Sequence, residues 1–345
     1  MKGPIKKKDT KKKEVDRMAK YVTKRIMYMI FVLIIMSFIM FMLYNAIPGD
    51  PARAELEGQK QQLTAEQYEA RYQALRKQMG LDDPTIVRYG KWVGGILQGD
   101  LGYSNVYKTD VKNIIATPLK NTIFINIFSV FFALLITIPL GIYCAVHKRT
   151  KFDSAVQVLT IVGYSLPTFI ISLIAIFFFA VKLGWFPVSG TSTPNFQGTG
   201  WAKFLDRLYY MCLPLIVMTI GALGGMTRYV RAAMIEALGQ DYIRTARAKG
   251  LKERVVIYSH AWRNALLPVI TMIIGWFLSI FGGSLVIEQM FGLNGMGKLM
   301  YASLVSQDYE VVLAMQMFYM IISLLGNLIC DLSYGIVDPR VRINQ

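Results

Sequence analysis

The 345-residue sequence predicts an all-α, polytopic membrane protein with six transmembrane helices, and three observations lead there. Hydrophobic residues make up 54% of the chain and gather into long unbroken runs instead of alternating with polar ones. Each run approaches the ~20 residues that a helix needs to cross a ~30 Å hydrocarbon core. Lys and Arg crowd into alternate connecting segments, which is the positive-inside bias of membrane proteins. Only helices and closed barrels satisfy their backbone in lipid, and runs this continuous are helices.

The basic tail comes first. Residues 1–25 hold eleven of the 38 Lys and Arg, with few aromatics. This segment is expected to be disordered at first and amphipathic near 18–23, acting as a topology signal attracted to anionic lipid. The first apolar run, 26–47, follows a basic start and precedes Ala52-Arg53-Ala54, so it imitates a signal peptide. It exceeds the usual ~7–15 residue apolar core of such a peptide and more runs follow, so it reads as a retained first helix.

The segment 48–120 is long for a loop and is predicted to form a small extracytoplasmic helical cap. Thr64-Ala65-Glu66-Gln67 has the capping-box form that opens a helix. Tyr68, Tyr72, Leu75 and Met79 then share a face, and Gly80 closes the helix. A Leu-Asp-Asp-Pro turn, a short helix near 88–97 and a turn at Gly99-Asp100-Leu101-Gly102 come next.

The core, 121–335, carries the remaining runs at 123–146, 155–181, 208–235, 265–287 and 311–330. Pro139, Pro167, Pro214 and Pro268 are expected to kink these helices, since proline removes a backbone hydrogen bond. Gly221, Gly224, Gly225, Gly282 and Gly283 allow close helix approach. Polar side chains in the runs are costly to bury, so Asn126, Ser165, Thr168, Thr219, Thr271, Ser279, Asn327 and Asp331 are candidates for a translocation path or a partner helix. No intramembrane relay of Asp, Glu and His accompanies them, which disfavours a proton-coupled carrier.

The loop 236–263 between the fourth and fifth runs reads as helix. Asp241 is expected to cap a short helix that begins at Tyr242, and Gly250 suits the left-handed position past its end. Arg244, Arg247 and Lys249 surround the small residues Thr245, Ala246 and Ala248. A second short helix is expected around Val255, Val256, Ile257 and Tyr258. Such a loop is either a surface for another protein to grip or an ordinary basic cytoplasmic loop. A tail at 336–345 ends the sequence.

The +16 net charge does not require nucleic acid. With the N-terminus taken as cytoplasmic, 1–25, the short loop 147–153 and 228–263 fall on one side, and both termini are cytoplasmic. The three cysteines, Cys144, Cys212 and Cys330, lie within apolar runs at no paired spacing, which argues for packing. His147 and His260 stand apart and define no metal site. Gly292-Leu-Asn-Gly-Met-Gly297-Lys298-Leu299 lacks the hydroxyl residue of a nucleotide-binding P-loop and follows no strand, so no ATP site is expected here.

Several of these stretches resemble the inner-membrane permease subunit of ABC importers, B-type, in the oligopeptide/dipeptide/nickel family. The resemblance spans residues 20–342. It rests on Pro48-Gly49-Asp50-Pro51, Gly99-Asp100-Leu101-Gly102-Tyr103-Ser104, and the run from Asp241 to Gly250. His260, Arg263-Asn264, Leu267-Pro268, Glu288, Phe291, Gly295, Gly297 and Asp338-Pro339-Arg340 complete it.

The resemblance implies a type I ABC importer permease fold of bacterial or archaeal cytoplasmic membranes. Its central loop, the EAA loop, carries a coupling helix that docks in a groove of the ATPase. Here Arg244-Thr245-Ala246 stands where Glu-Ala-Ala would be, and Glu236-Ala237 is out of register. The implied ATPase-coupling residues are Asp241, Tyr242, Arg244, Thr245, Ala246, Arg247, Ala248, Lys249, Gly250, His260 and Arg263. The implied partners are a homologous second permease, two ATPase subunits, an external solute-binding protein and membrane lipid. ATP and Mg bind the ATPases, so this chain holds no cofactor and is not an enzyme. Family members import, and no ATPase is fused to the chain, so the direction is inward. Oligopeptide is the expected cargo, with dipeptide, nickel chelate, glutathione or oligosaccharide as alternatives. An autonomous channel or secondary carrier would need intramembrane charges, and a mere scaffold would not need kinked spans.

Overall fold

The computed structural model describes residues 5–337 apart from 48, 57, 59, 61 and 62. In chain order the elements are α1 (Ile5–Ala46), α2 (Pro51–Leu56), α3 (Ala65–Gln78), α4 (Thr85–Leu97), β1 (Tyr103–Ser104) and β2 (Thr109–Asp110). Then come α5 (Val111–Val146), α6 (Lys151–Ser165), α7 (Thr168–Ala175), α8 (Gly200–Leu238), α9 (Asp241–Ala248) and α10 (Glu253–Val255). The last four are α11 (Arg263–Ser279), α12 (Leu285–Met290), α13 (Met296–Val305) and α14 (Tyr309–Val337). Two π-helical segments, Ile176–Lys182 and Val256–Trp262, continue α7 and join α10 to α11.

Five helical stretches are long and apolar enough to cross a membrane: Lys20–Ala46, Val111–Val146, Gly200–Leu238, Glu253–Ser279 and Tyr309–Ser333. A sixth crossing exists if the bent pair Lys151–Ser165 and Thr168–Lys182 counts as one span. The two arms meet at 102°, so the run 155–181 is not one straight helix. Pro167 causes the break: its ring drives Leu166 out of the helical region, to ψ 131°, and the helix restarts only afterwards. Pro139, Pro214 and Pro268 instead lie inside helices that continue past them.

Two other expectations change. The lysine-rich tail is helical from Ile5, not disordered, because no glycine or proline interrupts it before Ala46 and lysine is a good helix former. The fifth run splits, since α11 ends at Ser279 and α12 starts at Leu285. The residues between include Gly282 and Gly283, and a Cβ on Gly283 would overlap the Gly297 backbone. The helix expected around Val255–Tyr258 is present, as α10 and the π-helical segment after it, and runs on into α11. Between α4 and α5, β1 and β2 form a two-rung antiparallel ladder.

The chain divides into two compact units. The first comprises residues 1–114 and 303–328. Its helix α3 opens with the capping box that the sequence predicts, Thr64 and Gln67 bonding reciprocally. Tyr72, Ala52 and Leu56 are buried together, with Tyr68, Leu75 and Met79 packed around them. Asp50 gathers this segment. It accepts from Tyr72 Oη at 2.5 Å and Arg76 Nη1 at 2.7 Å, while Arg76 Nη2 reaches Asp82 at 2.8 Å. Burial raises the Asp50 carboxyl, but bonds from Tyr72 and the Ala52 and Arg53 N–H groups, with Arg76 beside it, outweigh that and hold it low. Tyr89 on α4 packs on Phe38 and Phe41 of α1, and its hydroxyl lies 2.8 Å from Ser37 Oγ.

The second unit comprises residues 115–302 and the chain from 329 on. Glu288, 3% exposed, organises one end of it. Its carboxylate accepts from Thr122 Oγ1 at 3.0 Å and from the Lys298 N–H at 2.7 Å. Burial nevertheless pushes its carboxyl above the usual range, with these bonds opposing. A Cβ on Gly295 would overlap that carboxyl. Gly295→Ala is therefore expected to cost about 1–3 kcal/mol by overpacking. Thermal unfolding in detergent checks this, and an unchanged midpoint would contradict it.

Candidate functional site

The loop between α8 and α11 is a short helix with a buried foot and an exposed face. Gly239 ends α8, its N–H returning to the Ile235 and Glu236 carbonyls. Gln240, in extended backbone, precedes α9. The helix therefore begins at Asp241, one residue before the expected start, and Asp241 lies in its first turn instead of capping it. A carboxylate in a first turn still favours the helix through the macrodipole.

Helical spacing then separates the side chains. Ile243 and Ala246, one turn apart, are 0% and 5% exposed, whereas the Arg244 side chain is 78% exposed. Both apolar residues join a buried cluster with Met226, Val230, Met234, Val256, Ala261 and Ala265. Asp241, Tyr242, Arg244, Thr245, Arg247, Ala248, Lys249 and Gly250 all remain exposed. Ala246, among the expected coupling residues, thus lies in the buried foot and not on the exposed face.

The far end of α9 is fixed by turn chemistry. Gly250 has φ +75° and its N–H bonds the Arg247 carbonyl at 2.9 Å, as a left-handed helix stop requires. Arg247 spans the turn, its guanidinium reaching Glu253 at 2.5 and 3.2 Å. Exposed pairs add little stability, so this one mainly fixes the angle of the turn. His260 is half-buried, with its carbonyl accepting from Asn264 at 2.6 Å, and Arg263 is exposed. Among the described residues neither side chain bonds to α9.

A buried ion pair stands behind this loop. Arg231 on α8 donates to both oxygens of Asp153, at 2.7 and 2.7 Å. Asp153 also accepts from the Arg149 N–H, and its own N–H reaches Thr150 Oγ1 at 3.2 Å. By sequence alone Asp153 and Arg231 count only as loop charges. Their signal is faint: one acid and one base at the ends of two apolar runs, with no fixed spacing.

A cavity of ≈410 Å³ opens among α5, the α6–α7 bend, α8 and α11. Ser129, Tyr164, Thr168, Gly221, Trp276 and Ser279 are among its lining residues. No charged side chain lines it. Of the predicted path residues, the structure brings Thr168 and Ser279 together here. Asn126 instead closes the end of α11, its side-chain amide donating to the carbonyls of Ile280 at 3.0 Å and Gly282 at 2.8 Å. This is contact with a neighbouring helix end, the other role expected of it. Thr219 is buried, Thr271 half-buried and Ser165 exposed, all outside the lining, and Asn327 is exposed on α14. Sequence reasoning misses Tyr164 and Trp276, since an aromatic in an apolar run carries no periodic signal that distinguishes cavity from lipid.

Comparisons with known proteins bear on this geometry. Residues 137–343 match the family described as the binding-protein-dependent transport system inner membrane component. Residues 18–142 match the N-terminal region of such membrane components. The oligopeptide transport system permease protein AppB of Bacillus subtilis is 39% identical, over 94% of this chain and all of that one. The glutathione transport system permease protein GsiC of Salmonella paratyphi A is 32% identical, over 94% and 99%. A structure of the MetNI methionine ABC transporter, in inward-facing conformations, is similar with a TM-score of 0.51. It covers 65% of this chain and 96% of that one at 18% identity, which establishes likeness of fold.

Proposed function

The chain belongs to the family of binding-protein-dependent transport system inner membrane components, and from that premise we infer that it forms half of the path by which an ABC importer takes up oligopeptides. As a permease subunit it is not an ATPase. Two ATPase subunits with ATP and Mg supply the work, a homologous permease supplies the other half of the path, and an external binding protein delivers cargo. The basic segments face the cytoplasm with both termini, and 48–120 forms an extracytoplasmic cap.

The observation that carries this reading is the asymmetry of α9. A transporter without its own nucleotide site must receive work by contact, and the contact must differ between two states. Helix α9 offers an exposed basic face on a foot packed into the same cluster as α8 and α11. A push on that face moves both helices, and both line the cavity. The cavity's hydroxyl and aromatic lining suits a backbone-rich, chemically varied cargo. The 39% identity to an oligopeptide permease favours peptides. Glutathione, itself a short peptide, is the second reading, favoured by the similarity to a glutathione permease.

Affinity purification from the native membrane tests the assembly. A second multi-span chain, ATPases and a binding protein are expected to co-purify. Recovery of the chain alone as a stable homo-oligomer would overturn the reading. A variant tests the coupling. A Cβ at Gly250 meets nothing within 4 Å, so strain comes only from its φ of +75°. Gly250→Glu is expected to cost about 1–2 kcal/mol locally and leave the spans inserted. Uptake should nevertheless fall sharply, because the new side chain projects from the docking face. Normal uptake by this variant would refute the coupling role.

A further inference from the structure

One cation near the cavity has no counter-charge among the described residues. Arg228 lies on α8 between the cavity-lining Gly221 and Ala222 and the ion-paired Arg231. It is half-buried, within the apolar stretch Gly200–Leu238. Its Nε donates to the Gly224 carbonyl at 2.8 Å, which fixes the guanidinium alongside its own helix. The guanidinium carbon sits 5.5 Å from the centroid of the Tyr164 ring, and Tyr164 lines the cavity. Among the described residues no carboxylate pairs with Arg228, and its terminal amino groups donate to no acceptor. Arg231, one turn on, shows the contrast: its guanidinium is fully engaged by both oxygens of Asp153.

A half-buried charge toward the cytoplasmic end of a spanning helix is costly unless it pairs, so one without a counter-charge points to a ligand or partner. Several features narrow the ligand. The unused donors form the planar fork that matches a carboxylate in bidentate geometry. The tyrosine ring beneath favours the cation and holds its plane. Position selects further. Arg228 lies six residues past Ala222, about 9 Å along the helix toward Leu238. That is the direction of the coupling loop, hence the end of the cavity where cargo leaves. The cavity before it is uncharged, so Arg228 is the first full charge that a solute meets along α8.

We propose that Arg228, held over Tyr164, binds the terminal carboxylate of a peptide passing out of the cavity. This rests on the peptide reading above. The carboxylate is the one anionic group common to peptides of any side-chain composition, so a single fork can serve a varied cargo. The uncharged lining upstream then leaves side-chain charge largely unread. Tyr164 is a positioning residue here, acting through the guanidinium.

The test uses the complete transporter with its ATPases, second permease and binding protein, reconstituted in vesicles. Uptake of a neutral pentapeptide with a free C-terminal carboxylate is compared with its C-terminal amide, each presented on saturating binding protein. The same ratio is then measured for Arg228→Gln, Arg228→Lys and Tyr164→Leu. Because the binding protein is unchanged, its own preference cancels between variants. Arg228→Gln is expected to lower the acid-to-amide ratio about tenfold, the scale of one charge-assisted bidentate bond, with the amide rate held. Arg228→Lys should retain part of the preference, and Tyr164→Leu should lose part.

An equal fall for both cargoes in Arg228→Gln would overturn the proposal and place the arginine opposite an acid of the second permease. An unchanged ratio in all three variants would overturn it too. Co-purification of the partner subunits with Arg228→Lys separates either result from failed assembly. If the unaltered transporter moved neither peptide while taking up another solute, the peptide reading would fall first and this site with it.

Discussion

Arg231→Ala is expected to destabilise the chain by about 3–5 kcal/mol, the largest loss anticipated from any single charge removal here. Asp153 is 3% exposed and receives two guanidinium bonds at 2.7 Å. Truncating the arginine leaves that carboxylate buried with neutral donors against it, the Arg149 N–H and the Gln157 side chain, and no cation. The cost is the stranded charge, not the lost attraction. The converse follows: Asp153→Leu with Arg231→Met should be far milder than Arg231→Ala alone, because no charge is left behind. Thermal unfolding of detergent-solubilised single and double variants checks both statements. A double variant as unstable as Arg231→Ala would mean that the pair acts through geometry, not charge.

The second expectation concerns α9, where two neighbouring residues should fail in opposite ways. Ile243 is fully buried in the cluster that ties α9 to α8 and α11. Ile243→Ala removes its packing and should cost about 2–5 kcal/mol, loosening the foot. Arg244→Ala, at a side chain 78% exposed, should change stability by less than about 0.5 kcal/mol. Both should depress uptake severely. In Arg244→Ala the face is altered and ATPase subunits bind weakly. In Ile243→Ala they still find the face, but closure is no longer passed to the helices, so ATP hydrolysis continues without uptake. Measuring ATPase retention and uptake together separates the two. Full uptake by both variants would remove α9 from the coupling path.

Much of this protein is legible before any coordinates. Continuous apolar runs have one solution in lipid, so the helical class follows from composition and length. Local signals also hold where their partners are close in sequence. The capping box at Thr64 and Gln67, the left-handed Gly250, and the short helix before it are all settled within a few residues.

Sequence leaves the outcome open where a distant partner decides. Asn126 resembles a path residue because a polar group in an apolar run must be satisfied by something, but its acceptors are 153 and more residues away at the end of α11. Ala246 belongs by sequence to the expected coupling helix, but which face of α9 turns inward depends on the cluster beneath it. A proline such as Pro167 can break a helix or merely kink it. The helices at Pro139, Pro214 and Pro268 run on unbroken, so proline alone does not choose.

The sequence by itself therefore determined the class, the number of apolar crossings to within one bent pair, and the short helix between the fourth and fifth runs. These depend on solvent, length and neighbours along the chain. Only the tertiary structure decided that Asp153 neutralises Arg231 and that Arg228 keeps its donors free. It likewise decided which hydroxyls share the cavity. Charges and polar groups in a low-dielectric interior are governed by whichever partner arrives across space, and sequence distance carries no record of that arrival.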